Sequence, residues 1–336
     1  MKNVAPLRSL SARLAFCLAM ALLLACTVLL SLRLGAVRVT FAQLWEAIFG
    51  KGGDSLERQI LLNVRLPRIL TGAAVGACLA VSGAILQGVM RNPLAAPGII
   101  GVSSGAGLAG TLVLLVCPQY GALFIPIAFL GAMGTAMLVY LLAWRQGASP
   151  IRIVLAGVAI SALLGAVGKA ILLYHSEQAG SILNFTIGSL STRSWPQIRQ
   201  VAGYMTLGLV AAISWSGRLN VLSLGDEVAA GLGLAVERTR LALLAVAALL
   251  AASAVSVAGL LGFVGLMAPH IVRLCIGADN RSLIPGSALF GAWLVVACDT
   301  AGRTAHPPAE LPVGVLLALL GAPFFLWLLR RRDYGT

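Results

Sequence analysis

An all-α, polytopic membrane protein with about ten spanning helices is the fold class this sequence predicts, on three observations. Hydrophobic residues fill 59% of the 336 positions and charged residues only 10%, against roughly 25% charged in an ordinary soluble domain. The mean hydropathy is +0.96. The apolar stretches are long and continuous rather than alternating. Hydrocarbon offers no water to satisfy peptide groups, so such runs cross it as helices rather than as barrel strands.

The first helix is expected at 14–32. Its start, MKNVAPLRSLSARLAFCLAMALLLAC, has the basic head, apolar run and Cys26 of a lipoprotein signal. A lipoprotein continues into a polar tether, whereas this chain stays apolar through Leu32, which favours a span. The second, third and fourth runs lie at 68–89, 98–116 and 123–144. Gly72 with Gly76, and Gly101 with Gly105, have the spacing that lets helices approach closely in lipid. The fifth, 153–174, repeats that spacing at Gly157, Ser161 and Gly165 and carries Lys169. Runs at 201–215, 241–259, 261–275, 283–298 and 313–329 complete the ten. Those at 201–215 and 261–275 are shorter than the ~20 residues of a straight span, so each is expected to be broken or to cross only part of the membrane.

Charge supports an even number of spans. With the N-terminus inside, one side receives Lys2, Arg8, Arg13, Arg91, Arg145, Arg152, Arg218, Arg238, Arg240, Arg273, Arg281 and Arg330 to Arg332, 14 basic residues against 5 acidic. The other side receives 9 basic against 6 acidic. Basic loops stay cytoplasmic, so both termini are expected there. Trp144, Trp215 and Trp327 fall near span ends, where indole favours the headgroup zone. The net charge of +13 is thus read as topology and not as a nucleic-acid surface. Gly83, Pro93 and Gly101 recur 176 positions later as Gly259, Pro269 and Gly277, the hint of a duplicated half.

Enzyme chemistry is not visible. Gly168-Lys169 lacks the rest of a P-loop, and Gly105, Gly107 and Gly110 match GxGxxG with no strand before them. His175, His270 and His306 are scattered, and the six cysteines form no CxxC, so no metal site is expected. The cysteines read as small buried side chains.

Three polar features stand in unusual places. LNVLSLGDEVAAGLGLAVERTR, residues 219–240, has five charged residues between two apolar blocks and is punctuated by Gly225, Gly231 and Gly233. It is either a solvated loop or a docking element for a cytoplasmic partner. In the second case Leu219, Val221, Leu222 and Leu224 would form its apolar face, beside Asp226 and Glu227. Arg65 and Arg68, spaced i, i+3, share a helix face on the outer side, and Arg303 lies in the last outer loop. They either snorkel or pair with Glu57, Asp299 or Glu310, or form a basic platform for an acidic external partner. Lys169 either snorkels outward or lines a solute path.

RLPRIL, AVSGAILQGVMRNPLAAPGIIGVSSGAG, GFVGLMAPHIVRLCIGADNRSLIPGSALFGA and PAELPVGVLLALLGAPFFLWLL, in that order, resemble the FecCD-type permeases, membrane subunits of ABC importers for iron–siderophores, haem and cobalamin. The resemblance covers about residues 34 to 332. It implies one permease domain over 1–336, a type II ABC-importer architecture, and a second permease copy or a similar permease with the path between the two. It implies a cytoplasmic ATPase pair holding ATP and Mg, so this chain itself needs no cofactor, and an external solute-binding protein. In similar permeases the segment matching Leu219 to Gly233 couples to the ATPase, Arg65, Arg68 and Arg303 meet acidic residues of the binding protein, and the fifth helix, carrying Lys169, lines the path. A bacterial inner-membrane location follows. HPPAELPVGVLLALLGAPFFLWLL is most similar to ferric-citrate-type permeases, so an iron(III)–siderophore is the expected cargo, with haem or cobalamin as the alternative. An ion-driven carrier, the rival from another class, would want intramembrane carboxylates, and Asp299 is the nearest candidate.

Overall fold

A computed structural model describes residues 9–35, 40, 45, 56–144, 149–175, 177, 179–305 and 309–331. Lys2, Arg8, Arg145, His306 and Arg332 lie outside them. Ten apolar helices fall on the ten expected runs. They are α1 (Leu10–Arg33), α2 (Leu66–Val89), α3 (Val102–Thr111), α4 (Phe124–Ala143) and α5 (Pro150–Tyr174), then α7 (Trp195–Ser214), α10 (Val236–Ala258), α11 (Val264–Ile276), α12 (Asn280–Thr304) and α13 (Val313–Arg331). Three short helices do not span: α6 (Ala179–Ile187), α8 (Ser216–Ser223) and α9 (Asp226–Gly231). Among the described residues, six helices are long and apolar enough to cross a membrane unaided. A seventh results if α7 and α8, bent by 56°, are taken as one span, and Val102–Val116, Val264–Ile276 and Val313–Leu328 are shorter.

The helix starts follow local chemistry. Ser9 caps α1 by accepting from the Ala12 amide, which relieves one orphan N–H. Pro67, Pro150 and Pro196 sit in the first turns of α2, α5 and α7, where a missing N–H costs nothing. Because of this α7 starts six residues before the expected 201, and its 56° bend into α8 makes it the broken element expected there. The polar Trp195–Gln200 stretch hides its first turns from hydropathy. The other short run, α11, is a partial crossing: its 13 residues rise about 20 Å. It is preceded by a break in which Gly259 and Phe263 both take positive φ, +78° and +65°.

The hub is α2. It is buried nearly all round and packs against α10, α11 and α12. Ser82 donates to the Ala247 carbonyl of α10 at 2.7 Å. A Cβ on Gly76 would fall on the Gly291 carbonyl of α12. The other small-residue pairs work in the same way: Gly105 faces the Gly131 carbonyl of α4, and Gly157 the Ile99 carbonyl. Ser161 accepts from Ser104 at 2.9 Å, while Gly165 meets open space. Of the duplicated trio, Gly101 and Gly277 both lie at helix ends with positive φ, but the other two pairs do not correspond. Gly83 and Pro269 are inside helices, whereas Gly259 ends one and Pro93 lies in a turn. The cysteines also divide: Cys78 and Cys298 are buried, but Cys26 is exposed on α1.

Candidate functional site: two polar ends of the bundle

At one end lies an arginine cluster. The turns Leu56–Gln59 and Ile60–Arg65 lead into α2, and the second is π-helical. Arg68 clamps Asp299 of α12 with Nε and Nη2, both at 2.9 Å, and reaches Glu310 with Nη1 at 2.8 Å. Arg303, one turn beyond Asp299, donates through Nη2 to the Ser31 carbonyl at 2.7 Å and through Nη1 to the Leu34 carbonyl at 3.1 Å. Arg65 donates to the Leu32 carbonyl at 2.6 Å. These are the orphan carbonyls of the α1 C-terminus, where cations are favoured. The arginines therefore bind α1, α2 and α12 together.

That corrects the picture of an exposed platform. Arg65, Arg68 and Arg303 are only 5%, 8% and 6% exposed, and for Arg68 the ion-pair alternative, with Asp299 and Glu310, is what the geometry holds. The pairing spans 231 residues of sequence, which local spacing cannot reveal. Among the described residues, two carboxylates, Asp299 and Glu310, face Arg68 and Arg303. Glu310, with a side chain 40% exposed, is the cluster's most accessible member.

At the other end, α8 and α9 form an elbow. Gly225, at φ +113°, separates them, a conformation that only glycine adopts easily. Gly231 is the last residue of α9, and Gly233 turns the chain back at φ +81°. The expected apolar face is split in two. Leu219 and Leu222 are 0% and 1% exposed, and Leu219 packs against Gly88 at the end of α2. Leu224, Val228 and Leu232 point outward, 61%, 51% and 64% exposed, beside the exposed Glu227. Asp226 is not free: it accepts from Arg240 of α10 at 2.7 Å and lies 3.8 Å from Arg91. Arg240 also pairs with Glu237. Asp226 thus anchors the elbow to the bundle.

A further tie was not legible in the sequence. Asn220 of α8 donates to Asp279 at 2.8 Å and accepts from the Asn280 amide at 2.8 Å, while Arg13 of α1 donates to Asp279 at 2.9 Å. Asp279 caps α12. Burial pushes its carboxyl up, but hydrogen bonds from Asn220, the Arg281 amide and Arg13, together with the Arg13 charge, outweigh this and hold it below the usual range. The elbow is therefore bonded to the helix whose far end carries Asp299 and Arg303.

Lys169 stands apart from both ends. It is exposed on α5, next to Gly165 and Gly168, which meet open space. In α5 only Ile153 and Gly157 are buried, while Leu155, Leu163 and Leu173 are 65%, 59% and 76% exposed. Among the described residues no cluster of His, Cys, Asp and Glu could hold a metal ion.

Ten apolar helices, one of them a buried hub, with a surface elbow at one end and a charged lock at the other, define a multi-pass membrane protein. The chain belongs to the FecCD transport family, whose model matches residues 22–331. It is 40% identical over 309 residues to the hemin transport system permease protein HmuU of Yersinia pestis, covering 90% of this chain and 91% of that one. It is 38% identical over 321 residues to the Fe(3+) dicitrate transport system permease protein FecD of Escherichia coli K12, covering 95% and 99%. A solved metal-chelate type ABC transporter in an inward-facing conformation superposes with a TM-score of 0.82 at 32% identity, over 94% of this chain and 99% of that one. The chain is an ABC-importer permease of this metal-chelate, haem and cobalamin class.

Proposed function

We propose that this chain passes an iron(III)–siderophore complex, delivered by an external solute-binding protein, through a path it forms with a second permease, driven by a separate ATPase pair. The observation that carries the ATP-driven reading is the outward apolar face of the elbow, Leu224, Val228 and Leu232 beside Glu227. Short helices with one buried and one open face suit docking into a partner's groove. The buried ties through Leu219, Asn220 and Asp226 would carry its movement into α2, α10 and α12. The ATPase binds one bundle conformation better than the other, which is the only way its cycle can bias the path.

The opposite end suits the binding protein. A carboxylate arriving at the arginine cluster would compete with the half-exposed Glu310 for Arg68, and such attraction weakens with salt. The thinly covered α5 face, with Lys169, suits the path and a second permease. There the lysine would favour an anionic cargo. Asp299 does not suit ion coupling, since Arg68 and Arg303 already hold it. The cargo assignment rests on the likeness to the ferric dicitrate permease. The likeness to the hemin permease supports haem as the second reading.

The test is purification in mild detergent followed by reconstitution. Wild type is expected to bring down a stoichiometric ATPase and to support ATP-dependent uptake of a ferric siderophore from a loaded binding protein. Leu224→Asp with Val228→Asp should abolish ATPase recovery without changing the chain's elution, and Lys169→Glu should slow uptake while sparing recovery. A chain free of ATPase under conditions that keep known complexes together would sink the reading. Uptake competed by haem but not by ferric siderophores would move the cargo to haem.

A further inference from the structure

Beyond both ends of this mechanism lies a partly buried cation with no acidic partner among the described residues. Arg193 lies in the connection between α6 and α7. Its guanidinium makes no hydrogen bond or ion pair with any described residue, and its Nε is fully enclosed. Burial alone acts on it and pushes its pKa down. No acidic residue occurs anywhere between Glu177 and Asp226. The residue is only partly buried, but an enclosed guanidinium N–H without a partner still costs free energy and calls for an explanation.

Arg193 lines a cavity of about 350 Å³ between the start of α4, α6 and the start of α7, large enough for a small ligand. Asn184, Thr192, Gln197 and Gln200 supply its polar wall, and Phe124 and Phe185, edge to face at 5.0 Å, part of its apolar wall. The Ser194 amide donates to Gln197 Oε1 at 3.1 Å, which fixes the way that amide faces and leaves its NH2 as a donor. The cavity opens at the end of the arginine cluster, because Trp195 Nε1 donates to the Leu62 carbonyl at 2.9 Å, one turn before Arg65. A cation with amide donors and no carboxylate among its walls suits one kind of guest.

We propose that this cavity is an oxyanion site, in which Arg193 receives a carboxylate or phosphate group with amide N–H groups of Gln197 and Asn184 beside it. The group could come from a soluble polycarboxylate chelate or from a lipid headgroup, and guanidinium suits both. Only the chelate source rests on the importer reading.

The experiment is thermal unfolding of the delipidated full-length chain in neutral detergent, followed by tryptophan fluorescence at constant ionic strength. The probes are citrate, inorganic phosphate, and phosphatidylglycerol against diacylglycerol, which lacks the phosphate. Wild type should gain stability from at least one anion. Arg193→Gln should need about 10- to 100-fold more of it, the effect of losing a charge-assisted partner, and Arg193→Lys should keep part of the response. The empty Arg193→Gln chain should unfold at a higher temperature than empty wild type, which loss of a merely structural arginine would not produce. If Arg193→Gln does not elute as wild type, Asn184→Leu with Gln197→Leu serves for the same titration, with weakened binding again expected. A response to citrate or phosphate assigns a soluble guest, and a response to phosphatidylglycerol alone assigns a lipid. If no anion stabilises wild type, or the variants respond as wild type does, the proposal is overturned. ATPase recovery is scored separately, so failure of the importer reading leaves this result intact.

Discussion

Asp299→Ala is expected to destabilise the folded chain by about 3–5 kcal/mol, the cost of leaving a buried charge without its partner. Arg68 and Asp299 have side chains only 9% and 5% exposed, so water cannot replace the lost carboxylate. The substitution would leave Arg68 with Glu310 as its remaining carboxylate partner. Arg303 would also lose Asp299, 3.6 Å from its Nε, while still holding the α1 carbonyls. A large drop in unfolding temperature, with earlier proteolysis between α1 and α2, is the expected readout. Asp299→Ala that unfolds like wild type would show the cluster is open to water. Arg68→Met combined with Asp299→Leu should recover much of the loss, since apolar replacement of a whole buried pair is often neutral or better.

The same cluster shows where sequence reasoning stops. The spans were legible because the bilayer forces every peptide group into a helix, so apolar length alone reports them. Their ends were less so. Hydropathy starts α10 at 241, yet the helix begins at Val236, because Glu237 and Arg240 satisfy each other and Asp226 within its first turns. The elbow was legible as a segment too polar to span, and its glycines as breaks. Which leucines face out was not, since Leu219 is turned inward by Gly88, 131 positions earlier. Arg65, Arg68 and Arg303 were found as a group, but their burial depends on carbonyls and carboxylates brought together only by the fold. Arg193 was missed because no motif marks it. The one signal available was negative: a long stretch of chain with arginines and no acid.

Gly83→Leu is expected to prevent folding of the bundle outright. Gly83 of α2 meets Gly265 at the start of α11 backbone to backbone, and a Cβ there would overlap the Gly265 carbonyl. Ordinary overpacking costs about 1–3 kcal/mol because side chains give way, but here neither helix backbone can yield without moving whole. Gly265 is itself wedged against Pro97 and the Leu79 carbonyl, and Gln87 donates to the Leu266 carbonyl at 3.2 Å just beyond. Displacing α11 would also disturb the Gly259–Phe263 break that precedes it. Gly83→Ala should show the same defect in weaker form, as a lower unfolding temperature and a smaller monodisperse fraction. Gly134→Ala is the control, because Gly134 lies inside α4 and a Cβ there would meet open space. It should be neutral, or more stable by up to about 1 kcal/mol from helix propensity. If Gly83→Leu elutes and unfolds like wild type, the α2–α11 crossing is looser than its geometry implies. The half-length helix would then owe its position to other contacts.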